Sequence, residues 1–90
     1  MPRVLVPPPY RGPTEGLDRI EVEGVTVKEC LEAVGARFPG FLDHVVAADG
    51  RVHRFVTLFL NGEELERAQA LAQAVSDGDD VEILAAIAGG

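Results

Sequence analysis

The chain has 90 residues, of which 47% are hydrophobic and 6% aromatic, which is typical of one compact folded domain. Eight basic residues against fifteen acidic ones give a net charge of -7. This balance disfavours nucleic acid as a partner, because phosphate contacts need clustered Lys and Arg. It favours a basic protein partner, or else the scattered acids serve mainly to keep the surface solvated. The single Cys30 excludes an internal disulfide and a four-cysteine iron–sulfur cluster, and indicates the cytoplasm. No apolar run of about 18 residues is present, so the sequence predicts no membrane span.

The first half of the chain predicts two strands and a long helix. Residues 3–6 include two β-branched valines and end at three prolines, which cannot donate ladder hydrogen bonds, so they predict a strand. Residues 17–23 alternate between apolar and charged side chains, as in a half-buried strand that pairs with the first. Thr26 and Glu29 form a reciprocal capping pair at a helix start, and Pro39-Gly40 ends that helix. Its apolar stripe comprises Val27, Cys30, Leu31, Val34 and Phe38.

The second half predicts a hairpin after an irregular connection. Residues 41–51 show no sustained period and predict one helical turn at most. Residues 54–60 have the strongest strand pattern in the chain. Asn61-Gly62 then supplies the two positive-φ positions of a tight turn into residues 63–66.

The last part of the chain predicts one more strand and a tail. Residues 68–75 are rich in alanine and predict a helical turn, residues 76–79 predict a turn, and residues 80–84 a strand. The whole order predicts an α+β fold of the β-grasp type, a mixed sheet of four to five strands covered on one face by one long helix. Its first and last strands are expected to be parallel. We expect residues 1–90 to form one domain, with residues 85–90 as a flexible tail.

Conventional catalysis finds little support in the side chains. Cys30 lies on the apolar helix stripe and is expected to be a buried, unreactive thiol. His44 and His53 have no neighbouring ligands of the kind a metal site needs, and we interpret both as surface residues. The acidic residues 77–80 lack the spacing of a calcium loop and favour a turn. The sequence therefore predicts no catalytic residue, no metal site and no bound cofactor.

The residues that remain are the last ones, which run Ala86-Ile87-Ala88 and then Gly89-Gly90. Glycines without side chains can enter a narrow channel in another protein and present a carbonyl there. A carboxylate is a poor electrophile, so its use as a carrier requires conversion to an acyl-adenylate that a sulfur nucleophile can attack. We expect Gly90 and Gly89 to undergo this chemistry, and residues 86–88 to thread into the enzyme that performs it.

Three stretches resemble the ThiS/MoaD family of ubiquitin-like sulfur carriers: residues 77–84 continuing into 86–90, residues 53–62, and residues 6–14. The second is especially similar to CysO-type carriers. The resemblance implies that a MoeB/ThiF-type enzyme adenylates Gly90, using ATP and a sulfur donor, and forms a thiocarboxylate. It implies sulfur donation in cysteine, thiamine or molybdopterin biosynthesis. For a CysO-like carrier the recipient is a pyridoxal-phosphate cysteine synthase, and a peptidase later releases cysteine. Ala85-Ala86 departs from the family, in which proline is frequent there.

Two other functions remain open on the sequence. The chain could be a ubiquitin-like protein modifier conjugated to a target lysine through Gly90, because that function shares the fold, the tail and the activation chemistry. Lys28 is the only lysine, which argues against chain-building modifiers. The other function is that of a plain ubiquitin-like interaction module, in which the terminal glycines are incidental.

A docking surface follows from the alternation in residues 55–60. We assign the branched aliphatic side chains Val56, Leu58 and Leu60 to the core, facing the helix. The residues between them then face outward and form an apolar patch near the tail, on which partner enzymes are expected to dock. The alternative is that Phe41 and the irregular segment cover the patch. The predicted docking patch comprises Phe55, Thr57, Phe59 and Leu84.

Overall fold

The computed structural model describes residues 1–85, which form a five-stranded mixed sheet with one long helix on one face, as predicted. Short 3-10 turns lie at Pro8–Tyr10 and Ala70–Ala72. The strands and helices in chain order are β1 (Arg3–Leu5), β2 (Arg19–Glu21), α1 (Val27–Arg37), α2 (Leu42–Val45), β3 (Val56–Leu60), β4 (Glu63–Glu64) and β5 (Asp80–Ala85).

The strand order is β2-β1-β5-β3-β4, so β5 lies in the middle of the sheet. It runs parallel to β1, with Val4 opposite Val81, and antiparallel to β3, with Leu58 opposite Ile83. The parallel pairing of the first and last strands is therefore confirmed. Because the chain leaves the sheet from β5, the tail begins at the end of a central strand.

Helix α1 begins as the sequence predicts, with one difference at its cap. The hydroxyl of Thr26 accepts a hydrogen bond from the Glu29 backbone N–H at 3.2 Å. The Glu29 carboxylate, however, accepts from the N–H of Val25, one residue before the cap, at 3.0 Å. The predicted stripe is buried in full, and it packs with sheet residues and with Phe41 in one core.

The hairpin turn is confirmed, since Asn61 and Gly62 have φ values of 51° and 85°. Several predicted bounds were wrong. Strand β3 begins at Val56, because Arg54 and Phe55 form a turn, and β4 ends at Glu64 instead of residue 66.

Strand β2 is also shorter than predicted, spanning three residues instead of residues 17–23. Ala85, assigned to the tail by sequence, is the last residue of β5 and pairs with Val56. Within residues 1–85, no helix is long and apolar enough to cross a membrane.

Candidate functional site

The candidate site is the root of the C-terminal tail, where β5 ends between β1 and β3. Ala85 is opposite Val56, and this pair closes the ladder between β5 and β3. The predicted threading residues Ala86, Ile87 and Ala88, and the predicted carrier residues Gly89 and Gly90, lie outside the described residues. Their roles therefore stay predictions, while the surface from which they depart is described below.

The outer face of the sheet carries the predicted docking patch. Thr57 lies opposite Leu84, and Phe59 lies opposite Glu82, so all four side chains project from the same face. Leu84 is 47% exposed, whereas Thr57 and Phe59 are half-buried. The inward assignment is confirmed for Val56 and Leu58, which are buried, while Leu60 is half-buried and packs against the core. The patch itself stays a prediction as a docking site.

Phe41 does not lie over the patch as a cover, since its side chain is fully buried in the core with α1. The sequence reasoning missed Glu82, which places a carboxylate between Phe59 on β3 and Leu5 on β1. The period-two alternation of β5 contained that information, because Glu82 and Leu84 share one face.

Phe55 belongs to a turn and not to β3. The N–H of Val56 donates to the carbonyl of His53 at 2.9 Å, which closes the turn. The guanidinium of Arg67 donates to the carbonyls of Val52 at 2.9 Å, of His53 at 2.7 Å, and also of Val56. The turn leaves Phe55 41% exposed beside the tail root.

A cation–π contact adds to this turn, with the Arg54 guanidinium 4.7 Å from the centre of the Phe55 ring. Neither Arg54 nor Arg67 was singled out from the sequence. Arg67 could not have been found from the local pattern, because its partners lie 11 to 15 residues earlier in the chain.

The other reactive side chains have structural surroundings. Cys30 is fully buried, as predicted, and burial together with the charge of Glu29 raises the pKa of its thiol. His44 stacks on Tyr10, with ring centres 5.2 Å apart, and His53 Nε2 lies 3.0 Å from the carbonyl oxygen of Asp43. Among residues 1–85, no group of three or more His, Cys, Asp or Glu could hold a metal ion.

The acidic turn is also structural. Asp79 accepts hydrogen bonds from the Asn61 side chain at 3.0 Å and from the Ser76 backbone N–H at 2.8 Å. These two bonds, with that from Asn61 the larger cause, lower the pKa of Asp79. Asp80 pairs with Arg3 at 2.8 Å. These acids connect the two turns at the end of the sheet opposite the tail root.

Fold and site together define a ubiquitin-like β-grasp protein, whose exposed sheet face adjoins the exit of its C-terminal tail. The model of the ThiS family matches residues 10–90, and the chain belongs to that family.

Two relatives and one solved structure extend this assignment. The sulfur carrier protein CysO of Mycobacterium tuberculosis is 33% identical over 89 residues, covering 97% of this chain and 96% of that protein. The crystal structure of the Amycolatopsis orientalis BexX/CysO complex superposes with a TM-score of 0.90 at 33% identity, over 100% of both chains. The small archaeal modifier protein 3 of Haloferax volcanii is 31% identical over 68 residues, covering 76% of this chain and 73% of that protein.

Proposed function

We propose that this chain is a sulfur carrier that holds sulfur as a thiocarboxylate on Gly90. The observation that carries the proposal is that the central strand β5 leads directly into a segment that contains Gly89-Gly90, within a ThiS-family fold. In this scheme the chain is a substrate and not an enzyme, and it contributes a docking face and a tail.

The chemistry takes place in two steps in the partner. A Gly90 carboxylate oxygen attacks the α-phosphorus of ATP and displaces pyrophosphate, which gives the acyl-adenylate. Hydrosulfide from a sulfide donor then attacks the carbonyl carbon and expels AMP, and loss of the remaining S–H proton leaves the thiocarboxylate. We propose a MoeB/ThiF-type enzyme for these steps, because it supplies the nucleotide site that this chain is not expected to contain.

The similarity to CysO supports cysteine biosynthesis as the receiving pathway, above thiamine or molybdopterin. The recipient would then be a pyridoxal-phosphate cysteine synthase that uses an activated serine, with a peptidase that later releases cysteine from Gly90. We propose that these reactions take place in the cytoplasm, where a chain with one unpaired Cys30 stays reduced.

The direct test is intact-protein mass analysis after incubation with a MoeB/ThiF-type enzyme, ATP and a sulfide source. We expect a mass increase equal to the replacement of one oxygen by one sulfur, confined to the C-terminal peptide. Deletion of Gly90 should abolish the change, whereas Gly12→Ala, in an exposed turn, should preserve it. Unchanged mass across several such enzymes, each active on its own carrier, would count against the proposal.

A second candidate is a protein modifier conjugated through Gly90, which the similarity to the archaeal modifier protein favours. The two functions share an adenylate and differ in the nucleophile, which is a lysine amine for a modifier. Conjugates of a tagged chain that resist both thiols and mild alkali are expected for a modifier. A thiocarboxylate product without such conjugates is expected for a carrier.

A further inference from the structure

Arginines line two grooves, one at the end of β5 and one beside the turn that enters β3. The smaller, of about 260 Å³, lies against Leu84 and is lined by Arg11 and Arg19. The larger, of about 870 Å³, lies beside the turn that enters β3, and its arginines are Arg51, Arg54 and Arg67. These side chains, here called the arginine collar, are five of the eight basic residues of the chain.

Acidic side chains are scarce at the same grooves. Within residues 1–85, the acids that line them are Asp49 in the larger groove and Asp18 and Glu82 in the smaller, three of the fifteen acidic residues. The two ion pairs found within residues 1–85 join Arg3 to Asp80 and the N-terminal amine to Asp77, at the opposite end of the sheet. Neither includes a collar arginine. The larger groove therefore has an excess of positive charge, with three arginines to one acid, in a protein that is strongly acidic overall, whereas the smaller groove has two of each.

Neutral partners hold part of the collar in place. Arg11 Nε donates to the carbonyl of Val6 at 3.0 Å, and Arg67 donates to the carbonyls around the turn that contains Phe55. Hydrogen bonds to backbone carbonyls fix a guanidinium without neutralising it, so its charge remains available to a partner. Arg19 and Arg51 are exposed and complete the collar on either side.

We propose that the arginine collar docks on a carboxylate-rich surface of the activating enzyme, around the entrance through which the tail reaches the active site. The proposal rests on the proposed function and identifies the surface chemistry of its partner. Guanidinium groups pair with carboxylates through two parallel hydrogen bonds, which fixes orientation as well as attraction. An acidic surface repels the opposite end of the sheet, with Asp77 and Asp79, so it selects the approach in which the tail comes first.

The net charge of the chain predicted a basic partner, whereas the collar predicts an acidic one. Net charge sets the average field at long range, whereas docking is decided by the charges that come within about 10 Å of the partner surface. At the larger groove, beside the turn that enters β3, those charges are mostly positive.

The first test needs no enzyme. The full-length ¹⁵N-labelled chain is titrated with hexaglutamate at low ionic strength, and amide shifts are followed by NMR. We expect the shifts to centre on Arg19, Arg51 and Arg54. Arg51→Glu should weaken binding about fivefold or more, while Lys28→Glu, the same charge reversal on an exposed position of α1, should change it less than twofold.

Three results of this titration would overturn the proposal. They are an absence of shifts, shifts centred on α1, and equal shifts with inorganic phosphate, which would indicate a small-anion site. Hexalysine is the second control, and it should bind at the opposite, acidic end of the sheet.

The second test measures conversion of the carrier by an activating enzyme that thiocarboxylates the wild-type chain. We expect Arg19→Glu and Arg51→Glu each to raise KM about tenfold with kcat unchanged, and added salt to narrow this difference. Equal effects of Lys28→Glu and Arg51→Glu would reject the collar. If no enzyme converts the wild-type chain, the proposed function fails, and the hexaglutamate titration still decides whether the collar binds an acidic surface.

Discussion

At the scale of single residues, Gly24 permits a close approach between a loop and helix α1. A Cβ at this position would lie 3.0 Å from both the backbone nitrogen and the Sγ of Cys30. Since backbone at a helix start cannot shift freely, we expect Gly24→Ala to lower the free energy of unfolding by about 1–3 kcal/mol. Chemical denaturation measures this change. Gly12→Ala is the control, because no atom of residues 1–85 lies within 4 Å of a Cβ there, and equal losses in both variants would contradict the packing argument.

Asp79 makes stability depend on pH. Its pKa is lowered in the folded protein, first by the hydrogen bond from Asn61 and then by that from Ser76. A carboxyl group with a lowered pKa stabilises the fold above its unfolded pKa, and this contribution disappears as the pH falls through the folded value. We expect Asp79→Asn to lower Tm near neutral pH and the difference from wild type to close in acid, below about pH 4. Asp18→Asn removes an equal charge from the exposed surface as a control, and a difference independent of pH would refute this role.

At the scale of elements, Arg67 completes the free edge of β3 after β4 has ended. The N–H of Leu65 donates a hydrogen bond to the carbonyl of Leu58 at 2.9 Å. The Arg67 guanidinium donates to the next carbonyl on that edge, which belongs to Val56. We expect Arg67→Ala to cost about 1–3 kcal/mol of unfolding free energy, because three carbonyls lose a charged donor. Hydrogen exchange at Val56 should accelerate as well. Arg37→Ala is the control, since within residues 1–85 that arginine donates to a single carbonyl, at 3.3 Å, and otherwise lies over the Phe38 ring, so its loss should cost less.

The same arginine shows where sequence reasoning ends. The helix, the Asn61-Gly62 turn and the central strand were predictable because each rests on neighbours within a few residues. Arg54 and Phe55 continue the alternation of β3 in the sequence, but they form a turn, and the carbonyls around it accept hydrogen bonds from Arg67, far along the chain. The glycine tail was also predictable from the sequence, because its residues follow one another directly in the chain. The arginine collar was not, because its members are spread between positions 11 and 67 and only the fold brings them together.

At the scale of the whole molecule, two kinds of surface surround the tail root, and they should respond differently to salt. The predicted docking patch is mostly apolar, although Glu82 lies on the same face, whereas the collar is cationic. Salt screens charges but leaves the burial of apolar area nearly unchanged. We therefore expect the effect of Arg51→Glu on KM to diminish as salt is added, and the effect of a patch variant to persist.

Leu84 is the patch residue best suited to this comparison, because it is 47% exposed and is the second-last residue of β5. We expect Leu84→Ser to reduce thiocarboxylate formation about tenfold, as the loss of a central apolar anchor does, while Tm stays nearly constant. Val25→Ser is the matched control, since Val25 is 65% exposed and lies beside the start of α1, outside the patch.

Phe59→Ser should act in the same direction as Leu84→Ser. Wild-type rates in both patch variants would reject docking on this face. If only the Phe59 variant unfolds, the half-buried Phe59 ring is needed for the packing of the sheet. The activity of the Leu84 variant then decides whether partners dock on this face.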